Sequence, residues 1–187
     1  GLVVTLSLGE RPAEELVAWR LAGADRCFLR FETSNERLFN AIHPRWPTVC
    51  GNRFELLAAA RNIGFEIGSG IIVGLPGQRY EDLVRDVEQF SLCDFDMIGV
   101  GSFIPHPDTP LGRVSVECDK QVPASSLMTW KTVALARILC PGANIPSTTA
   151  LSTIEGPNGH KRALGCGANV LMLNVTPADK RDLYEIY

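Results

Sequence analysis

Ile67-Gly68-Ser69-Gly70-Ile71-Ile72-Val73-Gly74-Leu75-Pro76-Gly77-Gln78, followed closely by Tyr80-Glu81-Asp82-Leu83, is the stretch that decides the fold. A β-branched apolar run stops at a Gly-Pro-Gly turn and passes directly into residues with helical spacing. That is one strand-turn-helix unit. The glycines remove β-carbons from an otherwise apolar strand, which serves either a tight turn with special backbone angles or a close approach of bare backbone to a ligand. Neither GxGxxG nor GxxxxGK[ST] is present, so no phosphate cradle is indicated.

The same unit recurs on both sides. Strands are expected at Val3 to Leu8, Cys27 to Glu32, Glu66 to Gly74, Met97 to Phe103, Asn144 to Thr149 and Asn169 to Asn174. Helices are expected from Ala13 to Arg20, Arg53 to Asn62, Glu81 to Phe90, Ser125 to Leu139, Gly159 to Leu164 and Ala178 to Tyr187. Pro12 opens the first helix and Ala22-Gly23 closes it; Gly64 and Pro141 stop two others. Strict alternation gives parallel strands with right-handed crossovers, in an open doubly wound sheet or a closed barrel. Polar residues end nearly every strand, which favours a parallel (β/α) barrel, since its site is ringed by βα loops. A complete eight-unit barrel takes about 250 residues. The 187 residues here hold six units, and the chain is expected to be one partial barrel domain over residues 1–187. It begins inside a strand-like run and ends inside a helical one, so truncation at both ends is expected, with the first two units and a C-terminal tail missing.

Composition bounds the partners. Apolar residues make up 45% and charged residues 21%, ordinary for a folded domain. The net charge of -3 and the scattered lysines and arginines argue against a nucleic-acid partner. No apolar run reaches the roughly 18 residues that cross a bilayer, and no cleavable leader is visible, so no membrane partner and a cytoplasmic location are expected. The six cysteines, Cys27, Cys50, Cys93, Cys118, Cys140 and Cys166, lie more than 20 residues apart without a CxxC pair. That spacing predicts buried thiols, with no metal ligand and no disulfide framework among them.

Few residues offer chemistry. Alternation along Cys27-Phe28-Leu29-Arg30-Phe31-Glu32 puts Arg30 and Glu32 on one face with Phe28. If that face is the barrel interior, each charge costs several kcal/mol unless it is paired or meets a polar ligand. The alternatives are a purely structural pair or a solvated outer face. In Ser102-Phe103-Ile104-Pro105-His106-Pro107-Asp108-Thr109-Pro110, three prolines stiffen a loop over the strand ends, which makes His106 a loop-shaping residue before a catalytic one. Ser147, Thr148 and Thr149 offer adjacent hydroxyls, for a small polar ligand or for capping the next helix. Met172 reads as core by pattern alone.

Thr5-Leu-Ser-Leu-Gly-Glu10, Arg30-Phe-Glu-Thr-Ser34, GSGIIVGLPGQ, GSFIPHPDTPL, NIPSTTAL, GANVLMLN and the terminal LYEIY occur in one order along the chain. Together they closely resemble the radical S-adenosylmethionine maturases of [FeFe]-hydrogenase, the HydE family, with FIPHPDTPL and NIPxTTA the most specific segments. The resemblance implies a (β/α)8 barrel binding a [4Fe-4S] cluster through a CxxxCxxC loop, with S-adenosylmethionine as the source of a 5′-deoxyadenosyl radical. It implies action on a cysteine-derived, sulfur-containing iron precursor, so a small molecule or iron complex as substrate, and the other hydrogenase maturation proteins as partners. By motif, Glu32, Arg53, Tyr184 and Tyr187 would bind S-adenosylmethionine, and Thr5, Arg30, Thr148, Thr149 and Met172 would line the substrate cavity. No catalytic residue is assigned. The chain contains no CxxxCxxC, so the cluster ligands would lie outside it and it would be inactive by itself. The run from His43-Pro44 to Asn52-Arg53 is longer than the family's. Biotin synthase and methylornithine synthase share the glycine-rich strand and stand as alternatives. A non-redox barrel lyase using Arg30 and Glu32, or a barrel turned binding scaffold, are alternatives of another class.

Overall fold

A computed structural model describes residues 1–43, 52–114, 119–156, 158–173, 175–177 and 179–180. In chain order the elements are β1 (Thr5–Leu6), α1 (Ala13–Leu21), β2 (Arg26–Phe28), α2 (Glu36–Ile42), α3 (Arg53–Ile63), β3 (Glu66–Val73), α4 (Tyr80–Leu92), β4 (Met97–Ser102), a 3-10 turn at Leu111–Arg113, α5 (Ser126–Leu139), β5 (Pro146–Ser147), α6 (Thr149–Glu155), α7 (Asn158–Gly165) and β6 (Val170–Leu171). Strands β1 to β4 pair in sequence order, every pair parallel. A parallel bridge from Met97 to Asn144, with Ile98 N donating to Asn144 O at 2.9 Å, brings the approach to β5 beside β4. Strand β5 then pairs in parallel with β6. Six strands thus follow one another around a wall, as the alternation predicted.

Side-chain alternation assigns the two faces of this wall. Cys27, Leu29 and Phe31 from the β2 segment, Ile67, Ile71 and Val73 from β3, and Ile98 and Val100 from β4 are buried in one cluster with Leu16, Leu56, Leu57, Ala60, Leu83, Val87, Phe90, Val133 and Ala136 of the helices. Phe31 sits at its centre, with ring centroids 4.9 Å from Phe54, 6.0 Å from Phe90 and 6.3 Å from Phe95. Burial of such a side chain contributes roughly 2 kcal/mol. The outer layer is therefore packed, and Phe28, Arg30 and Glu32 are left to the inner face.

Several expected boundaries shift. The ladder holds only two residues in each of β1, β5 and β6. Thr149, expected to end a strand, begins α6. Helix α2 was not anticipated; Asn35 caps it, its side chain accepting from Leu38 N at 3.1 Å. The stop at Gly64 is as expected: it takes φ +101, and its N–H reaches back to Ala60 O and Arg61 O. Of the helix expected from Ala178 to Tyr187, residues 178 and 181–187 lie outside the described residues. Among the described residues, no helix is long and apolar enough to cross a membrane.

Candidate ligand site at the carboxyl ends of the strands

The chain leaves β2 through a bulge. Phe28 is opposite Gly68 and Glu32 is opposite Ile71, so this strand advances four residues (28 to 32) where β3 advances three (68 to 71). The Ser69 hydroxyl serves the displaced backbone, accepting from Phe31 N at 3.3 Å and donating to Leu29 O at 2.8 Å. Glu32 then adopts φ +64, a left-handed conformation that costs a non-glycine residue about 1 kcal/mol. It is pinned there from both sides, its N–H donating to Gly70 O and its carbonyl accepting from Ile72 N, each at 3.0 Å. A strained residue held this firmly points toward function.

Arg30 and Glu32 do share a face. Arg30 Nη2 and Nε donate to one oxygen, Glu32 Oε2, at 2.7 and 3.0 Å. Their side chains are 34% and 16% exposed, enough for a ligand to reach the pair and too little for bulk solvent to screen it fully. Glu32 Oε1 takes no part in this ion pair.

The alternative readings of the glycines resolve through packing. A β-carbon on Gly68 would lie 2.5 Å from Phe28 Cδ2, and one on Gly99 would lie 2.9 Å from Phe28 Cζ. The β2 aromatic therefore fills the floor above these glycines. Gly101 faces the Arg30 guanidinium, whose nitrogens stand 3.8 and 3.9 Å from its β-carbon position. The bare backbone of β3 and β4 thus accommodates large side chains of β2. Gly74 serves the turn itself, at φ +88 with the Ala124 backbone against it.

Arg53, at the start of α3, joins the pair from above. Its Nη1 donates to Arg30 O at 2.5 Å and its Nε to Glu10 Oε1 at 2.9 Å, while its guanidinium carbon lies 5.0 Å from the Phe39 ring centroid. On Phe39 the His43 ring stacks at 3.9 Å. Burial, and then the Arg53 charge, hold the His43 imidazole below its ordinary range, against the opposing pull of the Phe39 carbonyl, Glu32 and Glu10. His43 therefore contributes a neutral ring, and the charges that remain are two cations and two carboxylates.

The other expected site residues are distributed around the wall. Thr148 Oγ1 donates to Val100 O at 3.4 Å and makes no cap bond to α6. Thr149 occupies the first turn of that helix. Ser147, the first of the three hydroxyls, is fully buried, with its Oγ 2.7 Å from His160 Nδ1. Thr5 in β1 and Met172 after β6 are exposed on the outermost strands of the described wall. Tyr184 and Tyr187 lie outside the described residues. His106 shapes its loop, accepting from Asp108 N at 3.2 Å through Nδ1 and from Thr109 N at 3.0 Å through its carbonyl.

The wall superposes on solved enzymes. The crystal structure of methylornithine synthase matches with a TM-score of 0.78 at 24% identity, over 96% of this chain and 49% of that one. Coproporphyrinogen III oxidase of Escherichia coli, a radical S-adenosylmethionine enzyme, matches with a TM-score of 0.54 at 19% identity, over 76% of this chain and 32% of that one. The fold is that of the radical S-adenosylmethionine barrels. In sequence, the chain is 48% identical over all 187 residues to the [FeFe] hydrogenase maturase subunit HydE of Thermotoga maritima, covering 51% of that protein. The chain spans about half the length of the curated relatives it matches. No protein-family model matches it.

Sequence reasoning missed the polar support behind the second strand of the described wall. Asp86 of α4 is fully buried and accepts from Ser34 N at 2.5 Å, Ser34 Oγ at 2.6 Å, Thr33 Oγ1 at 3.2 Å and Gln78 Nε2 at 3.1 Å. Gln78, also fully buried, donates to Ile72 O at 3.1 Å and accepts from Gly74 N at 2.7 Å. One turn earlier, Asp82 accepts from Asn35 Nδ2 at 2.8 Å. The Thr-Ser-Asn after Glu32 is thereby tied to α4 and to the Gly-Leu-Pro-Gly-Gln turn. The signal was available in the sequence: Asp86 lies on the same helical stripe as Leu83, Val87 and Phe90.

Proposed function

We propose that this chain forms the ligand-holding wall of a radical S-adenosylmethionine enzyme of [FeFe]-hydrogenase maturation. The observation that carries the reading is the 48% identity to HydE along the whole chain. Methylornithine synthase is a close structural neighbour at half that identity, 24%, which supports the shared barrel more than a shared reaction.

The residues present do not fit an iron-sulfur cluster. The chain lacks CxxxCxxC, and among the described residues no group of three His, Cys, Asp or Glu side chains is placed to hold a metal ion. In this reading the [4Fe-4S] ligands are contributed from outside the chain. The residues do fit S-adenosylmethionine. Glu32 keeps Oε1 outside its ion pair on a half-buried inner face, and Arg53 keeps Nη2 outside both of its bonds. These two offer a carboxylate to the ligand's amino group and a guanidinium to its carboxylate, with Tyr184 and Tyr187 beside the same ligand. When bound, S-adenosylmethionine is the source of the 5′-deoxyadenosyl radical in this class of enzyme. Thr5, Arg30, Thr148, Thr149 and Met172 line the side that takes the substrate, a cysteine-derived, sulfur-containing iron precursor. What the chain itself contributes is placement and exclusion of water, while the cofactor carries the difficult chemistry. The other hydrogenase maturation proteins are the proposed partners.

The test is reconstitution of the protein carrying this chain with iron and sulfide, reduction with dithionite, and an assay for 5′-deoxyadenosine. Product is expected from the native protein, and none from a cluster-loaded, reduced sample would refute the class. Glu32→Ala should weaken S-adenosylmethionine binding at least tenfold without unfolding the barrel; unchanged affinity would remove the role given to Glu32.

A further inference from the structure

Glu10 received no role in the preceding reading, yet the structure connects it to the strained turn. It follows β1, and Arg53 Nε reaches its Oε1 at 2.9 Å, with side chains only 16% and 22% exposed for Arg53 and Glu10. Arg53 Nη1 then holds the carbonyl of Arg30 at 2.5 Å. That carbonyl lies inside the bulge, two residues before Glu32 with its φ of +64. Three separate elements, the β1 loop, the bulge after β2 and the first turn of α3, thus converge on one guanidinium.

We propose that Glu10 is a positioning residue that fixes the ligand-binding geometry of Glu32 through Arg53. Arg53 thus links the Glu10 carboxylate to the backbone of Arg30, the residue whose own guanidinium pairs with Glu32. With Glu10 engaging Nε, Arg53 is held to the backbone carbonyl, and the Glu32 carboxylate is left to Arg30 and to the ligand. Without Glu10, the Arg53 guanidinium loses the anchor on Nε, and the Arg30 carbonyl inside the bulge loses its aimed donor. A planar guanidinium suits this task because its donors are fixed relative to one another: anchoring Nε aims Nη1. Glu10 acts here through length and acceptor position as well as charge. Gln retains both length and acceptor, whereas Asp retains the charge but falls one methylene short.

The proposal rests on the S-adenosylmethionine reading only for its probe, so its test has two readouts. In the protein carrying this chain, S-adenosylmethionine affinity is measured by titration calorimetry for the native protein, Glu10→Gln, Glu10→Asp and Glu10→Ala. Crystal structures are determined for the Gln and Asp variants. The Asp and Ala variants should bind at least tenfold more weakly and Gln within about threefold of native, with thermal midpoints of Gln and Asp within a few degrees of each other. In the Asp variant Arg53 should leave the Arg30 carbonyl and Glu32 should leave its left-handed conformation; in the Gln variant both should stay. A purely structural role would lower the midpoints without separating Gln from Asp in affinity. If Ala fails to fold, the comparison of Asp with Gln still decides. If native protein binds no S-adenosylmethionine, the class reading falls, while the crystal structures still judge the positioning role. An Asp variant with the Arg53 contact and the Glu32 conformation intact overturns it.

Discussion

Asp86→Ala should be among the most damaging single truncations of a polar side chain in this chain. Four donors converge on the carboxylate: the Ser34 N–H at 2.5 Å, the Ser34 and Thr33 hydroxyls at 2.6 and 3.2 Å, and Gln78 Nε2 at 3.1 Å. The hydroxyls can rotate to other acceptors, and Thr33 Oγ1 already accepts from Asn35 N. The backbone N–H and the amide cannot, and each buried donor left without a partner costs about 1–3 kcal/mol. Release of a desolvated carboxylate returns part of this, so the net loss is about 3 kcal/mol, a large share of the roughly 5–15 kcal/mol that holds a domain folded. For a chain of this size that lowers the thermal midpoint by roughly 10 °C. Asp86→Asn keeps an acceptor for Ser34 but turns an NH2 toward the Gln78 amide, so an intermediate loss of about 1–2 kcal/mol is expected. Burial pushes the Asp86 carboxyl above its usual range, opposed by the bonds from Ser34, Thr33 and Gln78. The folded state therefore binds this proton at higher pH than the unfolded chain does. The Asp86 contribution is greatest below the unfolded value, about 3.9, and declines as pH rises through the folded one. Urea denaturation of native, Asn and Ala proteins across that interval measures both effects. Native protein gaining stability over Asp86→Asn as pH rises, or Ala matching native within about 0.5 kcal/mol, would refute the reasoning.

Two further substitutions test the strand ends. Glu32→Gly should be more stable than Glu32→Ala by about 1 kcal/mol, because glycine accepts a left-handed φ without strain while both lose the carboxylate; equal urea midpoints would mean that Glu32 does not hold φ +64 in solution. Gly70→Ala should cost about 3 kcal/mol or more, since its β-carbon would fall 2.2 Å from the Gly99 carbonyl oxygen in a paired strand. Gly101→Ala, 3.8 Å from a movable Arg30 nitrogen, should cost less than about 1 kcal/mol by thermal denaturation.

Much of the wall was legible without coordinates. The core spacing of α1, α3, α4 and α5 follows a period of 3.6 and that of β2 to β4 a period of 2, and both periods are local properties of the chain. The alternation through Cys27 to Glu32 was enough to put Arg30 and Glu32 together, and the 2.7 Å ion pair agrees. Helices α2 and α6 escaped because each has seven residues, too few for periodicity to stand out against the strand or loop that precedes it.

The amino-acid order by itself determined a succession of strand-helix units and which face of each strand carries charge, because side-chain direction follows from backbone geometry alone. Only the tertiary structure decided what those faces meet. The extra residue in β2 exists only relative to the count in β3, and the left-handed turn of Glu32 is held by hydrogen bonds to Gly70 and Ile72, nearly 40 residues away in sequence. Arg53 meets Glu10 and the Arg30 carbonyl across separations of 43 and 23 residues. No local propensity encodes such contacts; they arise when the packed outer core fixes the strands in register and leaves the inner face a single arrangement in which its charges are paired.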